Sequence, residues 1–454
     1  MWNTIGYHFE CEVTAVFKNS DLGILFNLRD EKAKGRLIML ASAMLTGAIS
    51  WLTTGLFYTS FLTENGIDLV KIGIISFVPF IASCFSIFAP SILERIPKRR
   101  WVLCGVRFTY YTLNILGITV MPRLVHGEGA RLTLFVVIIF AANIINSMFS
   151  SGFTAWQINF IPEDVRAGYF SVSAIGSGVV GLSTGLISAI IADSFRSSPH
   201  AYTIIVVLRY AAYALAVLDC WLLSRPKEYP YKHSATRVRL TDIIRRPFST
   251  PKFIYTMVII ALWAFFSNTA VASRNYYLLN TINMSYTYYM LTNFTYIFFQ
   301  IAMVKFAQRI INRYGWLKTF AYSVLISVGP TLACSFVNKA NYLWLYSLVR
   351  LTQHLTGMTQ NTAYSNILYL NMPEEDRTNY IAFYTLTANI FSMLGTLFGT
   401  MFVGIFPDLQ LALPGITLCN VQVLMWVETF GLILVPVLIL TNLKRLSPDG
   451  AEAK

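Results

Sequence analysis

Charge is scarce in this 454-residue chain: 13% of its residues are Asp, Glu, Lys or Arg, while 55% are hydrophobic. A soluble domain carries about 25% charged residues, so the chain has roughly half the charge that an aqueous surface needs. Metal chemistry is also poorly served. The six cysteines (Cys11, Cys84, Cys104, Cys220, Cys334 and Cys419) stand singly, with no CxxC pair and no Cys/His cluster. Such isolation argues against a structural metal or a disulfide framework, and neither metal nor cofactor is expected. No Walker-type phosphate loop occurs, so ATP hydrolysis by that route is excluded. No catalytic constellation stands out either, and the chain is read as a non-enzyme. The first 36 residues lack a signal peptide's apolar core, being interrupted by Glu10, Asp21, Asp30 and Glu31.

What the chain does have is apolar runs of about twenty residues, the length of helix that crosses a ~30 Å hydrocarbon core. Barrel strands are shorter and alternate in polarity. The runs fall near 37–62, 72–93, 101–122, 131–155, 172–193 and 202–223, then 253–279, 287–306, 319–336, 342–367, 381–404 and 421–442. The expected fold is all-α and integral to a membrane, with twelve transmembrane helices. The expected division is an arm (1–36), six helices (37–223), a basic linker (224–252), six more helices (253–443) and a tail (444–454).

Net charge is +13, which in a soluble protein would suggest nucleic acid. Position decides otherwise. With the N-terminus inside, the inner segments hold 26 Lys and Arg, and the outer ones five: Lys71, Arg123, Arg131, Arg196 and Lys339. This positive-inside asymmetry predicts that both termini and the linker are cytoplasmic, and nucleic acid is not an expected partner. Short loops and small termini point to a prokaryotic cytoplasmic membrane, and a monomer is expected. In the arm, Val16–Leu28 reads as an amphipathic interfacial stretch.

The chain also repeats itself. PEDVRAGYF at 162–170 and PEEDRTNYI at 373–381 share Pro, Glu, Arg and Tyr at the same offsets, about 211 residues apart. The starts of spans 1 and 7 lie about 216 apart, and the basic turns LERIPKRR (93–100) and INRYGWLK (311–318) about 218 apart. Spans 1–6 and 7–12 are therefore two copies of one unit, giving two pseudo-symmetric six-helix bundles. The acids after Pro162 and Pro373 suit helix starts, and Arg166 and Arg377 lie beside them.

Two six-helix halves, a basic central loop and basic turns after spans 2 and 8 resemble the major facilitator superfamily. Its signature turn combines an acid followed by arginine, two glycines and a basic pair. Glu94, Arg95 and Lys98-Arg99 match the charged positions, with Pro97 where a glycine is expected. The second copy keeps Arg313 and Gly315 but has Asn312 in place of the acid. The resemblance implies alternating access, with Glu94 meeting the start of span 11 when the cytoplasmic side is closed. Glu94, Arg95, Arg99, Arg166, Arg313 and Arg377 are the expected conformational gate. The family's exporter-type Gly-Pro signature is absent from span 5, which has glycines 176, 178, 181 and 185 but no proline.

In-span polar residues are the best guide to a substrate path. Arg350, His354, Gly357 and Asn361 share one face of span 10, and Asn143, Asn146, Ser150 and Gln157 form a stripe on span 4. The repeat offset superimposes the two stripes. Span 7 adds Trp263, Ser267 and Arg274, and span 1 adds Ser50, Trp51, Thr54 and Tyr58. In the family, spans 1, 4, 7 and 10 line the cavity. The expected substrate site is Arg350, His354, Asn143, Asn146, Asn361, Arg274, Trp51, Trp263 and Tyr58. Guanidinium groups favour an anionic solute, while the aromatics equally suit a sugar or an amphiphile. His354 leaves proton coupling open. Arg107 and Arg209 read as structural, with snorkelling or a contact to Glu428 both open for Arg209. The function expected is secondary transport of a small solute, with proton or cation coupling open. A non-transporting receptor or scaffold and an exporter of amphiphilic drugs are the alternatives.

Overall fold

The computed structural model describes residues 32–446, apart from 94–95, 97, 126, 162–165, 229–239 and 374–376. The arm's interfacial stretch, Glu94 and Arg95 thus lie outside the described residues. Within them the chain forms twelve helical spans. Helix is the solution that a lipid-facing backbone requires, because each N–H and C=O must be satisfied within its own segment.

Span 1 comprises Ala33–Thr53 and Gly55–Glu64, and span 2 runs from Leu69–Cys84 through a tight turn into Ala89–Leu93. Span 3 is Arg100–Tyr111, a π-helical turn Thr112–Gly117 and Ile118–Leu124. Spans 4, 5 and 6 are Glu128–Ile158, Arg166–Ser194 and Ala201–Leu223. A linker helix, Leu240–Phe248, precedes span 7, which is Pro251–Thr269, Val271–Tyr276 and a π turn Tyr277–Thr281. Spans 8 and 9 form one helical run, Tyr286–Cys334, broken at Gly315, whose φ of 74° reverses the chain. Spans 10, 11 and 12 are Tyr342–Leu370, Arg377–Ile405 and Asn420–Thr441. Among the described residues, nine helices are long and apolar enough to cross a membrane by length and composition. Spans 3, 8 and 10 fall outside that set.

The repeat seen in the sequence is written into the backbone. Span 1 breaks at Thr54, before Gly55 with φ 62°, and span 7 breaks at Ala270. The offset of about 216 residues that relates the two spans carries Thr54 onto Ala270. The repeated tyrosines also act alike. Tyr169 donates to Arg36 O at 3.1 Å, where span 1 begins. Tyr380 donates to Arg246 O at 3.3 Å and pairs with Thr250 Oγ1 at 2.9 Å, where span 7 begins.

Each half has its own apolar core. In the first, Phe61, Ile115, Phe135 and Ala212 sit in one cluster and Leu103, Trp156 and Phe160 in another. In the second, Phe253, Phe320 and Val435 form one cluster and Ala270, Leu278 and Leu424 another. The first cluster also takes in Leu279, Tyr286 and Met290 of the second half. All three lie at the face opposite the linker.

The linker is tied to both halves. The Glu228 carboxylate accepts the backbone N–H groups of Arg99 and, at 2.9 Å, Arg100, so it caps the start of span 3. The linker helix buries Ile243, and Phe248 packs edge-on against Phe383 of span 11 at 5.6 Å. Between spans 11 and 12 lies a hairpin that counting apolar runs does not predict. Its strands β1 (Gln410–Leu413) and β2 (Ile416–Cys419) are antiparallel, and Pro414-Gly415 makes the turn with Gly415 at φ 83°.

Candidate functional site

A cavity of about 340 Å³ lies between spans 1, 3 and 4. Thr46, Ser50 and Thr54 line it from span 1, Arg107, Tyr110 and Asn114 from span 3, and Asn146 and Ser150 from span 4. Ser50, Thr54 and Ser150 are exposed, so the polar wall is reachable. Arg107 is the only charged residue among the lining residues. Its guanidinium pairs with Asp219 of span 6 at 2.7 Å, donates to Thr46 Oγ1, and lies over the rings of Tyr111 and Phe153. Asp219 is fully buried. Tyr111 also donates to its Oδ2, while Oδ1 has no partner among the described residues.

The second half has a matching device in a different place. Arg274 of span 7 donates to both oxygens of Glu428 in span 12, at 2.7 and 2.8 Å. Glu428 is therefore not the partner of Arg209. That arginine, 1% exposed, donates to Thr119 Oγ1 at 2.7 Å and to Asn114 O at 3.3 Å, and stacks over Phe61 at 4.6 Å. A π turn leaves carbonyls without their usual i+4 donor, and Arg209 serves the one in span 3.

The span 10 stripe turns toward span 8. Arg350 donates to Asn293 Oδ1 and, at 2.9 Å, to Gln353 Oε1. His354 is buried, with Nε2 3.0 Å from Thr292 O. Asn361 stays exposed on the same helix.

A sequence profile of the Major Facilitator Superfamily matches residues 264–453. Solved structures extend the likeness over the whole fold. A mutant of nucleoside transporter NupG aligns with 91% of this chain and 99% of its own, at TM-score 0.66 and 12% identity. A D-xylose-proton symporter covers 89% and 96%, at TM-score 0.64 and 12% identity. A bacterial homologue of the iron transporter ferroportin, in its inward-facing state, covers 90% and 98% at the same TM-score and identity. The second half of the chain thus matches the superfamily's profile, and the whole chain shares the fold of these transporters. No curated protein matches its sequence.

The residues singled out from sequence are spread over several environments. Asn146 lines the cavity with Ser50 and Arg107. Asn143 donates to Ile139 O of its own helix at 2.8 Å. Tyr58 lies 5.6 Å from Arg209. Trp51 packs on span 5, 2.6 Å from where a Cβ on Gly181 would sit. Trp263 stands edge-on to Phe320 at 5.4 Å, with Tyr364 beyond. Of the gate residues, Arg99 donates to Ile96 O at 3.1 Å and Arg313 lies over Tyr314. Arg166 and Arg377 open spans 5 and 11.

The Arg107–Asp219 pair was within reach of the sequence. Arg107 lies seven residues from the start of span 3 and Asp219 four from the end of span 6, which places both about two turns or less from the linker side. Opposite charges within the same two turns of one side are the signal. Which helices adjoin is not.

Proposed function

We propose that this chain is a secondary active transporter of the major facilitator superfamily that binds a small anionic solute at the cavity between spans 1, 3 and 4. The observation that carries this reading is the cavity itself: one guanidinium among hydroxyl and amide groups, in a helical bundle made of two repeated halves. A guanidinium in low dielectric favours a carboxylate or phosphate over a neutral solute. The described face opposite the linker is packed shut, so solute would reach the cavity from the linker side. On the positive-inside reading, that side is the cytoplasmic one. Alternating access then requires the halves to rock about the cavity.

A solute anion that draws Arg107 away leaves Asp219 buried without its countercharge, a state that burial strongly disfavours, so Asp219 sets an energetic cost on anion binding at Arg107.

The test is flux into proteoliposomes together with a thermal-shift screen against organic anions, sugars and nucleosides. Ligands that bind the native protein raise its melting temperature by mass action. The paired variant Arg107→Met/Asp219→Leu keeps the packing and removes both charges. Anion stabilisation that persists in this variant would refute the site.

A further inference from the structure

We infer that Asp193 is a cross-half helix cap, and that with Arg196 it latches the face opposite the linker shut. A helix start leaves four N–H groups without intrahelical acceptors. At span 8 one is met locally, Tyr288 N donating to the N-cap Ser285 Oγ at 3.1 Å, and the regular helix bonds begin with Tyr289 N to Ser285 O at 3.1 Å. Two more, those of Tyr286 and Thr287, are met from the first half. Tyr286 N donates to Asp193 Oδ1 at 3.0 Å and Thr287 N to Asp193 Oδ2 at 2.6 Å. Asp193 stands at the end of span 5, so its charge meets the positive end of a helix in the other half of the molecule.

Arg196, one turn on, serves the other side of the same junction. It donates to Met284 O at 2.9 Å and to Asn283 Oδ1, and its guanidinium lies over the Tyr286 ring. Asn283, at φ 64°, makes the left-handed turn between spans 7 and 8. Tyr286 closes the set, with its hydroxyl on Ser60 Oγ and its ring stacked on Phe57 of span 1. Every one of these contacts joins the two halves except the 3.8 Å approach of Arg196 to Asp193. Parting this face therefore exposes two backbone amides and one carbonyl, and separates a carboxylate from its helix. Water can replace the hydrogen bonds, but it restores neither the fixed dipole nor the low dielectric. The latch opposes opening until binding energy elsewhere offsets it.

A cavity of about 250 Å³, lined by Ser60, Glu64, Arg196, Asn280 and Tyr286 among others, adjoins the latch. It leaves Arg196 within reach of solvent.

The inference concerns which face is closed and what closes it. It rests on the transporter reading only for its role in a cycle, and it is tested without transport. On the same face, a Cβ on Gly73 of span 2 would lie 2.8 Å from Thr400 Cβ of span 11. Full-length protein carrying Gly73→Cys/Thr400→Cys, with the natural cysteines replaced, should cross-link rapidly in membrane vesicles under mild oxidant. Adding Asp193→Asn should slow cross-linking about tenfold, the scale expected from losing a charged acceptor for two amides. It should raise labelling of Met290→Cys by an impermeant maleimide applied to that face. Asp193→Glu should restore cross-linking in part, and Arg196→Gln should act in the same direction as Asp193→Asn. A monodisperse, thermally cooperative Asp193→Asn protein that cross-links and labels like the parent would overturn the latch. If Asp193→Asn fails to fold, Arg196→Gln decides by the same two readouts.

Discussion

At the scale of single residues, the charges inside the spans have found partners on neighbouring helices. Glu428 is 4% exposed and holds Arg274 with both oxygens. Removing one member of such a pair leaves the other buried and uncompensated, at a cost of about 3–5 kcal/mol. Replacing both by apolar residues of similar size is close to neutral. Glu428→Ala should therefore lower the melting temperature of purified protein sharply, while Arg274→Met/Glu428→Leu should melt near the parent. If the double variant is as unstable as the single one, the pair has a role other than mutual compensation. Arg350 and His354 differ from Arg107 in having amide and carbonyl partners on span 8. Their spacing in the sequence correctly put them on one face. It could not say whether that face met the cavity or another helix, because a 3.6-residue period fixes relative direction and not the neighbour.

At the scale of elements, close helix crossings are set by small residues, as van der Waals packing in lipid requires. A Cβ on Gly399 of span 11 would sit 1.8 Å from Thr269 O of span 7, and one on Gly181 of span 5 would sit 2.8 Å from Gly47 O of span 1. The two crossings are the same pair of spans in each half. Gly178, one turn from Gly181, has nothing within 4 Å of the added Cβ. Gly399→Ala should destabilise by about 1–3 kcal/mol, since backbone must yield, whereas Gly178→Ala should be neutral in the same thermal assay. The glycine-rich stretches were legible in the sequence; which glycines touch backbone was not. Asp68 caps span 2 through Lys71 N at 2.9 Å. Partial burial pushes its carboxyl up, but the Lys71 amide and ammonium together hold it below the usual range. The sign follows: the cap's contribution is full above the unfolded value of about 3.9 and is lost as pH falls through the lower folded value. Asp68→Asn should flatten the acid limb of a melting-temperature profile, with no change near neutrality in the contribution of other groups.

At the scale of the whole molecule, the halves are joined at one face. Gly73 against Thr400, Gly185 against Met290 and Asp193 against span 8 all lie there. A cross-link between Gly73→Cys and Thr400→Cys should stop net flux on the transporter reading, and a thiol reductant should restore it. Unimpaired flux in a fully cross-linked sample would mean that this face need not open. The linker acts at the opposite end, with Glu228 on span 3 and the helix Leu240–Phe248 on span 11. It thus bridges the halves without adding to the closed seam.

The sequence alone determined the class, the twelve spans and the duplication. Those properties follow from run length, charge placement and repeated residues, each local or comparable along the chain. Tyr169 and Tyr380 show how far this reaches, since a repeated letter became a repeated hydrogen bond. Only the tertiary structure decided which charges pair, where the reachable polar cavity lies and which face is shut. Arg107 meets Asp219, more than a hundred residues away, because spans 3 and 6 pack side by side. Such pairings depend on helix neighbours and rotation, and hydrophobic periodicity carries little information on either where lipid and helix interior are equally apolar.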